Sequence, residues 1–372
     1  RASYGLLGNA NIGEYPWQET YVSTTYAFNE ALNQGVQQTA YRNRALKWEQ
    51  TKTADIGLDF NLKNDLIYGT IDWYNKLTTG ILAAAIIPGS AGMSAPTINY
   101  GTLRNYGLEI ELGHKGKFGS VEYGINGQIS ANRNKVIKFP APAYSDRIIQ
   151  EGLPYRDYYL YEYTGLFKSE EELKAVVTPG NPQLGDIKFK DQNNDGKIDG
   201  DDRVRVKGAY PGFIYSFGGN VRWKNFDLAV FFQGVQGQKV RTYFFGEDPF
   251  SQGSSPHPKF LDAYDPVTNP DSEVPAIYGW GYAPMTGGTA QNSTYFLKDA
   301  SYLRLKNLQI GYTIPASVTK KVGISHLKVF LTGDNILTFT KYPDLDPERA
   351  GDGWHAQYPQ LKVYSVGLNL RF

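Results

Sequence analysis

Val363-Tyr364-Ser365-Val366-Gly367-Leu368-Asn369-Leu370-Arg371-Phe372 closes the chain. Its alternation decides the fold. Tyr364, Val366, Leu368, Leu370 and Phe372 share one parity, opposed to Val363, Ser365, Gly367, Asn369 and Arg371. Successive side chains of a strand point to opposite faces, so the segment reads as a strand with one greasy face and one mostly small or polar face. Upstream, Ala54, Ile56, Leu58, Phe60 and Leu62 oppose Thr53, Asp55, Gly57, Asp59 and Asn61. Leu108, Ile110 and Leu112 oppose Glu109 and Glu111, and Val121, Tyr123, Ile125 and Ile129 oppose Glu122, Asn126, Gln128 and Ser130. Similar runs start at Phe213, Phe226 and Leu327. Leu303 and Leu305 lie on the opposite parity to Leu308, Ile310 and Tyr312, which predicts a bulge near Lys306.

Connection lengths also alternate. Short turns are expected at Lys63 to Asp65, Lys115 to Gly119, Lys224 to Asn225 and Pro315 to Gly323. Long loops rich in Gly, Pro and Asn are expected at 9–47, 86–102, 139–207, 243–299 and 341–358. One end of the sheet is trimmed and the other elaborated, which with roughly ten antiparallel strands is the pattern of a transmembrane β-barrel. Runs of ten or more residues suit a tilted membrane crossing, which needs about 9–11, better than a soluble strand of about 5–6. Trp48, Trp73, Trp223 and Tyr364 stand near strand ends, where interfacial aromatic girdles form.

Composition agrees with this reading. The 372 residues include 28 Tyr, 19 Phe, 6 Trp and 40 Gly, a mixture suited to pleated sheets and turns. A formal net charge of +1 provides no sustained basic field, so nucleic acid is not an expected partner. There is no Cys, which removes disulfides, thiolate nucleophiles and Cys-type zinc sites. No long apolar run is present that would span a bilayer as a helix. His114, His257, His326 and His355 form no HExxH pair, and no nucleophile elbow, P-loop or dinucleotide fingerprint occurs, so the chain is not read as an enzyme.

Several motifs together resemble the SusC/RagA type of TonB-dependent outer-membrane transporter. They are Arg1-Ala2-Ser3-Tyr4-Gly5 with Gly8-Asn9, Trp48-Glu49-Gln50-Thr51 before Gly57-Leu58-Asp59, Asn105-Tyr106-Gly107-Leu108-Glu109 and Gly185-Asp186-Ile187-Lys188. To these are added Tyr302-Leu303-Arg304-Leu305-Lys306-Asn307, Gly333-Asp334-Asn335, Thr340-Lys341-Tyr342 and Asp346-Pro347-Glu348. The resemblance covers the chain and implies the C-terminal strands of a plugged barrel of about twenty-two strands, with plug and remaining strands on a preceding piece of the same protein. A first strand of about Arg1 to Leu7 would be too short to cross a bilayer, consistent with that expectation. The resemblance further implies import of oligosaccharides or peptides, a SusD-like surface lipoprotein as lid, TonB acting through the part outside this chain, and outer-membrane lipid around the wall. The terminal Phe372 also resembles the signal read by barrel-assembly machinery; a lipid-facing strand would show the same pattern.

Two local features carry chemistry. In Asp191 to Asp202, Asp191, Asn193, Asp195, the Lys197 carbonyl, Asp199 and Asp202 fall at the oxygen-ligand positions of an EF-hand-like loop, with Gly196 at its sharp turn. This predicts structural Ca²⁺ in an external loop, with Asp202 replacing the usual Glu; an Asx-rich turn without metal is the alternative. Upstream, Ser169-Glu170-Glu171-Glu172 predicts a capped helix start. Loop aromatics, foremost Tyr158, Tyr161, Tyr278, Trp280 and Trp354, are candidate substrate contacts because their rings stack on sugars or peptide groups. Packing of the loops against each other would use the same residues. A soluble, calcium-stabilised extracellular β-protein that binds glycans stands as the alternative for the whole chain.

Overall fold

In the computed structural model the described residues are 1–9, 14–15, 17–63, 66–140, 142–241, 258–277, 292–343, 345–348 and 360–372. Ten strands form one sheet in chain order: Ala2–Asn9, Glu49–Leu62, Ile67–Ala84, Thr97–Phe118, Val121–Lys138, Phe213–Trp223, Phe226–Gln236, Tyr302–Thr313, His326–Thr340 and Val363–Arg371. Every neighbouring pair is antiparallel. We call them the first to tenth strands of the wall. The first and tenth pair with one neighbour each, so the sheet is open at both edges.

Register assigns the faces. Ile56, Trp73 and Leu108 lie directly opposite one another across the second to fourth strands, and Leu58, Ile71, Ile110 and Ile129 form the next row. Across the seventh to tenth strands, Leu228, Ile310, Leu331 and Val366 make a comparable row. These side chains are mostly exposed, among them Ile56 at 58%, Leu112 at 51% and Val366 at 73%. An apolar surface running over ten strands far exceeds the patches a water-facing monomer carries, and its place is against lipid. The opposite face carries Asp55, Asp59, Asp72, Glu109, Glu111 and Glu122 and faces inward.

The surplus of Tyr and Gly has a structural cause. Tyr68 lies across from Gly113, Tyr74 from Gly107, Tyr123 from Gly116 and Tyr215 from Gly234. At each of these glycines a Cβ would run into the facing ring. The ring thus covers backbone that a side chain would otherwise shield, and the two residue types are needed in pairs.

The bulge expected near Lys306 is present: the eighth strand shifts register between Leu305 and Asn307 against both of its neighbours, which restores parity for Leu308 and Ile310. The connection around Pro315 to Gly323 is a single helical turn, Ala316–Thr319, followed by a 3₁₀ turn, Lys320–Val322. Two of the expected long loops hold more regular structure than their composition suggests. Residues 20–40 form a hairpin of Thr20–Phe28 and Ala31–Ala40, and the fourth strand begins at Thr97, inside the segment read as loop. The third to fifth strands have 18, 22 and 18 residues, longer than a bilayer crossing needs, so their loop ends project beyond it.

Candidate functional site

The inward face contains a polar trough of about 350 Å³ lined by Thr70, Asp72, Glu109, Glu111, Gln128 and Gln233, among others. Register brings them together: Glu109 stands opposite Asp72 and Ser130, and Glu111 opposite Thr70 and Gln128. Ser130 donates to Glu109 at 3.3 Å and Thr70 to Asp59 at 3.0 Å. Arg1 pairs with Asp59 at 2.9 Å and also with Asp72, whose Oδ1 is buried without a hydrogen-bond partner among the described residues. The trough is a wet, acidic wall that needs no reaction to explain it, as the sequence suggests for Glu109 and Glu111.

Above the wall, two external loops pack into one body. Asp157–Tyr161 is the centre of a small sheet with Arg203–Val206 and Arg147–Ile149. Tyr163–Leu166 pairs with Ile187–Phe189. Tyr161, Leu166, Ile187, Phe189 and Ile198 from the first loop bury Phe260, Tyr264 and Phe296 from the second. Backbone bonds from Tyr161 to Asn292 at 2.9 Å and from Ala276 to Gly185 at 3.0 Å fasten the two. Arg241 bridges Asp146 at 2.9 Å and Asn292 at 2.6 Å. Burial pushes the Asp146 carboxyl up, but the Arg241 guanidinium and Ser145 hydroxyl outweigh it and hold Asp146 below the ordinary aspartate range.

This packing buries two of the candidate aromatics. Tyr158 and Tyr161 are only 2% and 4% exposed. The Arg147 guanidinium lies 3.8 Å from the Tyr158 ring centre, and Arg203 lies 5.0 Å from that of Tyr161. Tyr158 donates its hydroxyl to the Lys239 carbonyl at 3.0 Å. Tyr161 packs in the core shared with the second loop, and Tyr158 is tied by its hydroxyl to Lys239. Tyr278, Trp280 and Trp354 lie outside the described residues.

The Asp191 to Asp202 loop is braced by its own oxygens. Asp191 accepts from the amides of Asp195 and Gly196 at 3.3 and 2.9 Å, Asn193 from Asp195 at 3.0 Å and Asp195 from Lys197 at 3.1 Å. Asp202, fully buried, accepts from Gln192 at 2.8 Å and Asp199 at 2.7 Å. The Lys197 ammonium stands 2.7 Å from Asp199 and 3.7 Å from Asp195, and its hydrogen bond holds Asp199 below the usual carboxylate range. Among the described residues no three acidic or imidazole side chains converge on one point. The donor types suit Ca²⁺, but in this arrangement a cation of the chain itself stands between two of them. The capped helix expected from Ser169 is present as Glu170–Ala175, with Ser169 accepting from Glu172 at 3.3 Å.

A further cluster escaped the sequence reading. Arg304, on the inward face and 2% exposed, donates to Asp346 and Glu348, both at 2.7 Å, and to Thr338 at 2.9 Å. Lys306 reaches both Glu348 oxygens at 2.8 and 2.7 Å. Asp346 also accepts from the amides of Glu348 and Gln360 at 2.9 and 2.8 Å. Burial raises the Asp346 pKa, but these bonds reverse the effect and leave it below normal. The cluster pins the last external loop over the inward side of the wall. Both motifs are visible in the sequence; their pairing across 42 residues is not.

Comparison with known proteins places this architecture. Residues 2–336 match the family model described as TonB dependent receptor-like, beta-barrel. The chain is 30% identical over 400 residues to TonB-dependent receptor P3 of Formosa agariphila, covering 100% of this chain and 39% of that protein. It is 26% identical over 411 residues to TonB-dependent receptor SusC of Bacteroides thetaiotaomicron, covering 100% and 37%. A solved structure of the RagAB peptide transporter shares the fold, with a TM-score of 0.77 at 24% identity over 100% of this chain and 40% of that one. The chain therefore spans about two fifths of the length of the relatives it matches. On the match of residues 2–336 and the antiparallel wall that carries it, the chain belongs to the TonB-dependent receptor-like β-barrel family.

Proposed function

We propose that this chain forms wall and external loops of an outer-membrane, TonB-dependent importer of oligomeric nutrients, working as the SusC-like channel of a SusCD-type complex. The observation that carries the reading is the continuous division of the ten strands into a lipid-suited outward face and a mostly polar inward face that holds an acidic trough. The relatives support it: one is named SusC and one solved neighbour is a peptide transporter. A plug borne by the remainder of the protein would sit against the inward face, where Asp72 Oδ1 lacks a hydrogen-bond partner among the described residues. TonB would act on that plug, and a SusD-like lipoprotein would close over the external loop body. The cargo is an oligosaccharide or a peptide.

The experiment is uptake by cells carrying the intact protein or lacking it, supplied in turn with labelled oligosaccharides and labelled oligopeptides. Loss of uptake of one class, restored by the intact gene and abolished without TonB, fits the proposal. Unchanged uptake of both would refute it.

We also propose Ca²⁺ as a structural ion of the Asp191 to Asp202 loop. The oxygen spacing and the Asx scaffold support it. Binding would require the Lys197 ammonium to leave Asp195 and Asp199.

A further inference from the structure

On the outward face, above the apolar belt, one row of the sheet reads Lys52, Leu77, Arg104 and Lys135 across the second to fifth strands. The row below reads Ala54, Asn75, Tyr106 and Arg133. Directly opposed residues share a face, so these basic side chains stand side by side. With strands about 4.8 Å apart, Lys52 and Lys135 are separated by roughly 14 Å. All four basic residues are exposed. Toward the short-turn end the next rows are apolar, beginning with Ile56, Trp73 and Leu108.

Two features make this more than scattered surface charge. The acidic residues of these strands, Glu49, Asp55, Asp59, Asp72, Glu109, Glu111 and Glu122, all have the inward parity. The ion pairs among the described residues engage other cations, none of these four. Arg104 is moreover held in place: its Nε donates to Asn75 at 2.6 Å and its guanidinium lies 5.2 Å from the Tyr106 ring centre. A positioned guanidinium suits bidentate phosphate recognition, and flanking lysines supply point charges.

We propose that Lys52, Arg104 and Lys135, supported by Arg133, form a docking site for the phosphate groups of an anionic lipid in the external leaflet. Its acyl chains would lie along the apolar rows below, and its phosphates would meet the basic row. Charge complementarity selects this occupant: the outward face of these strands has cations at headgroup level and no acid to neutralise them. The inference rests on the outer-membrane reading of the wall, since the loop end must face the external leaflet.

The test uses the full-length protein purified in neutral detergent. Heat-modifiable gel migration first establishes the folded barrel, so that failure of the membrane reading appears there and not in the lipid data. Native mass spectrometry then compares retention of bisphosphorylated lipid A with that of its dephosphorylated form. The wild type should retain the phosphorylated lipid at least about tenfold better, with the preference shrinking at high salt. The triple variant Lys52→Gln/Arg104→Gln/Lys135→Gln, still heat-modifiable, should retain both alike. Equal retention by the wild type, or an undiminished preference in the variant, would overturn the proposal.

Discussion

Arg304 and Asp346 are joined at 2.7 Å with side chains 3% and 4% exposed, which makes this pair the buried centre of the cluster that anchors the last external loop to the eighth wall strand. Removing one partner of a buried pair leaves an uncompensated charge and typically costs about 3–5 kcal/mol. Arg304→Gln should therefore release the loop locally while the wall persists. Hydrogen exchange over residues 341–348 in the full-length protein should rise strongly, with exchange in the ninth strand unchanged.

The same anchor fixes a pH dependence. Asp346 titrates below its ordinary value of 3.8, so its stabilisation is fully present above that value and is lost as pH falls through the lower folded-state value. Proteolytic nicking of this loop should be insensitive to pH from neutrality down to about 5 and should increase only in stronger acid. Asp346→Asn should remove the acid step.

Tyr161 is a core residue of the loop body, and Tyr161→Ala should destabilise that body by about 3–5 kcal/mol, as for other large aromatic truncations. Tyr158→Phe removes one hydroxyl that donates to the Lys239 carbonyl, leaving that acceptor short of a partner, and should cost about 1–2 kcal/mol. Limited proteolysis at 139–207 should report both losses before any cargo is added. A direct substrate role would instead lower cargo affinity with the loops intact.

In the Asp191 to Asp202 loop, two substitutions separate scaffold from metal. Asp202→Ala removes the acceptor of the Gln192 and Asp199 amides and should loosen the loop with or without Ca²⁺. Asp195→Ala should leave the metal-free loop closer to wild type and abolish the heat of calcium binding in a calorimetric titration. Equal heats from wild type and Asp195→Ala would remove the calcium proposal.

How much of this was legible depends on what each residue's neighbours are. Faces were readable wherever lipid and water impose opposite chemistry on alternate positions, as at Leu108 to Leu112, and the parity break at Lys306 located the bulge. The hairpin at 20–40 was not, because Val36 is 72% exposed and Gln37 and Gln38 follow it: neither face is buried, so no alternation is imposed. The strand start at Thr97 was hidden because Asn99 and Gly101 look like loop, while pairing with Ile81 to Ala84 extends the ladder. The place of Tyr161 depends on Phe260 and Phe296 and that of Tyr158 on Lys239, all far along the chain, and the Arg304 to Asp346 pair rests on a contact that no local pattern encodes.

The central claim is that alternate residues of these strands face lipid and lumen. The chain contributes no native cysteine, so single cysteines at 108, 109, 110, 111 and 112 can carry a nitroxide in the reconstituted full-length protein. Collision rates with oxygen, which concentrates in lipid, should be high at Leu108, Ile110 and Leu112 and low at Glu109 and Glu111, with a polar nickel reagent showing the reverse or no access. Rates without a period of two, or equal access of the polar reagent to both sets, would contradict the account.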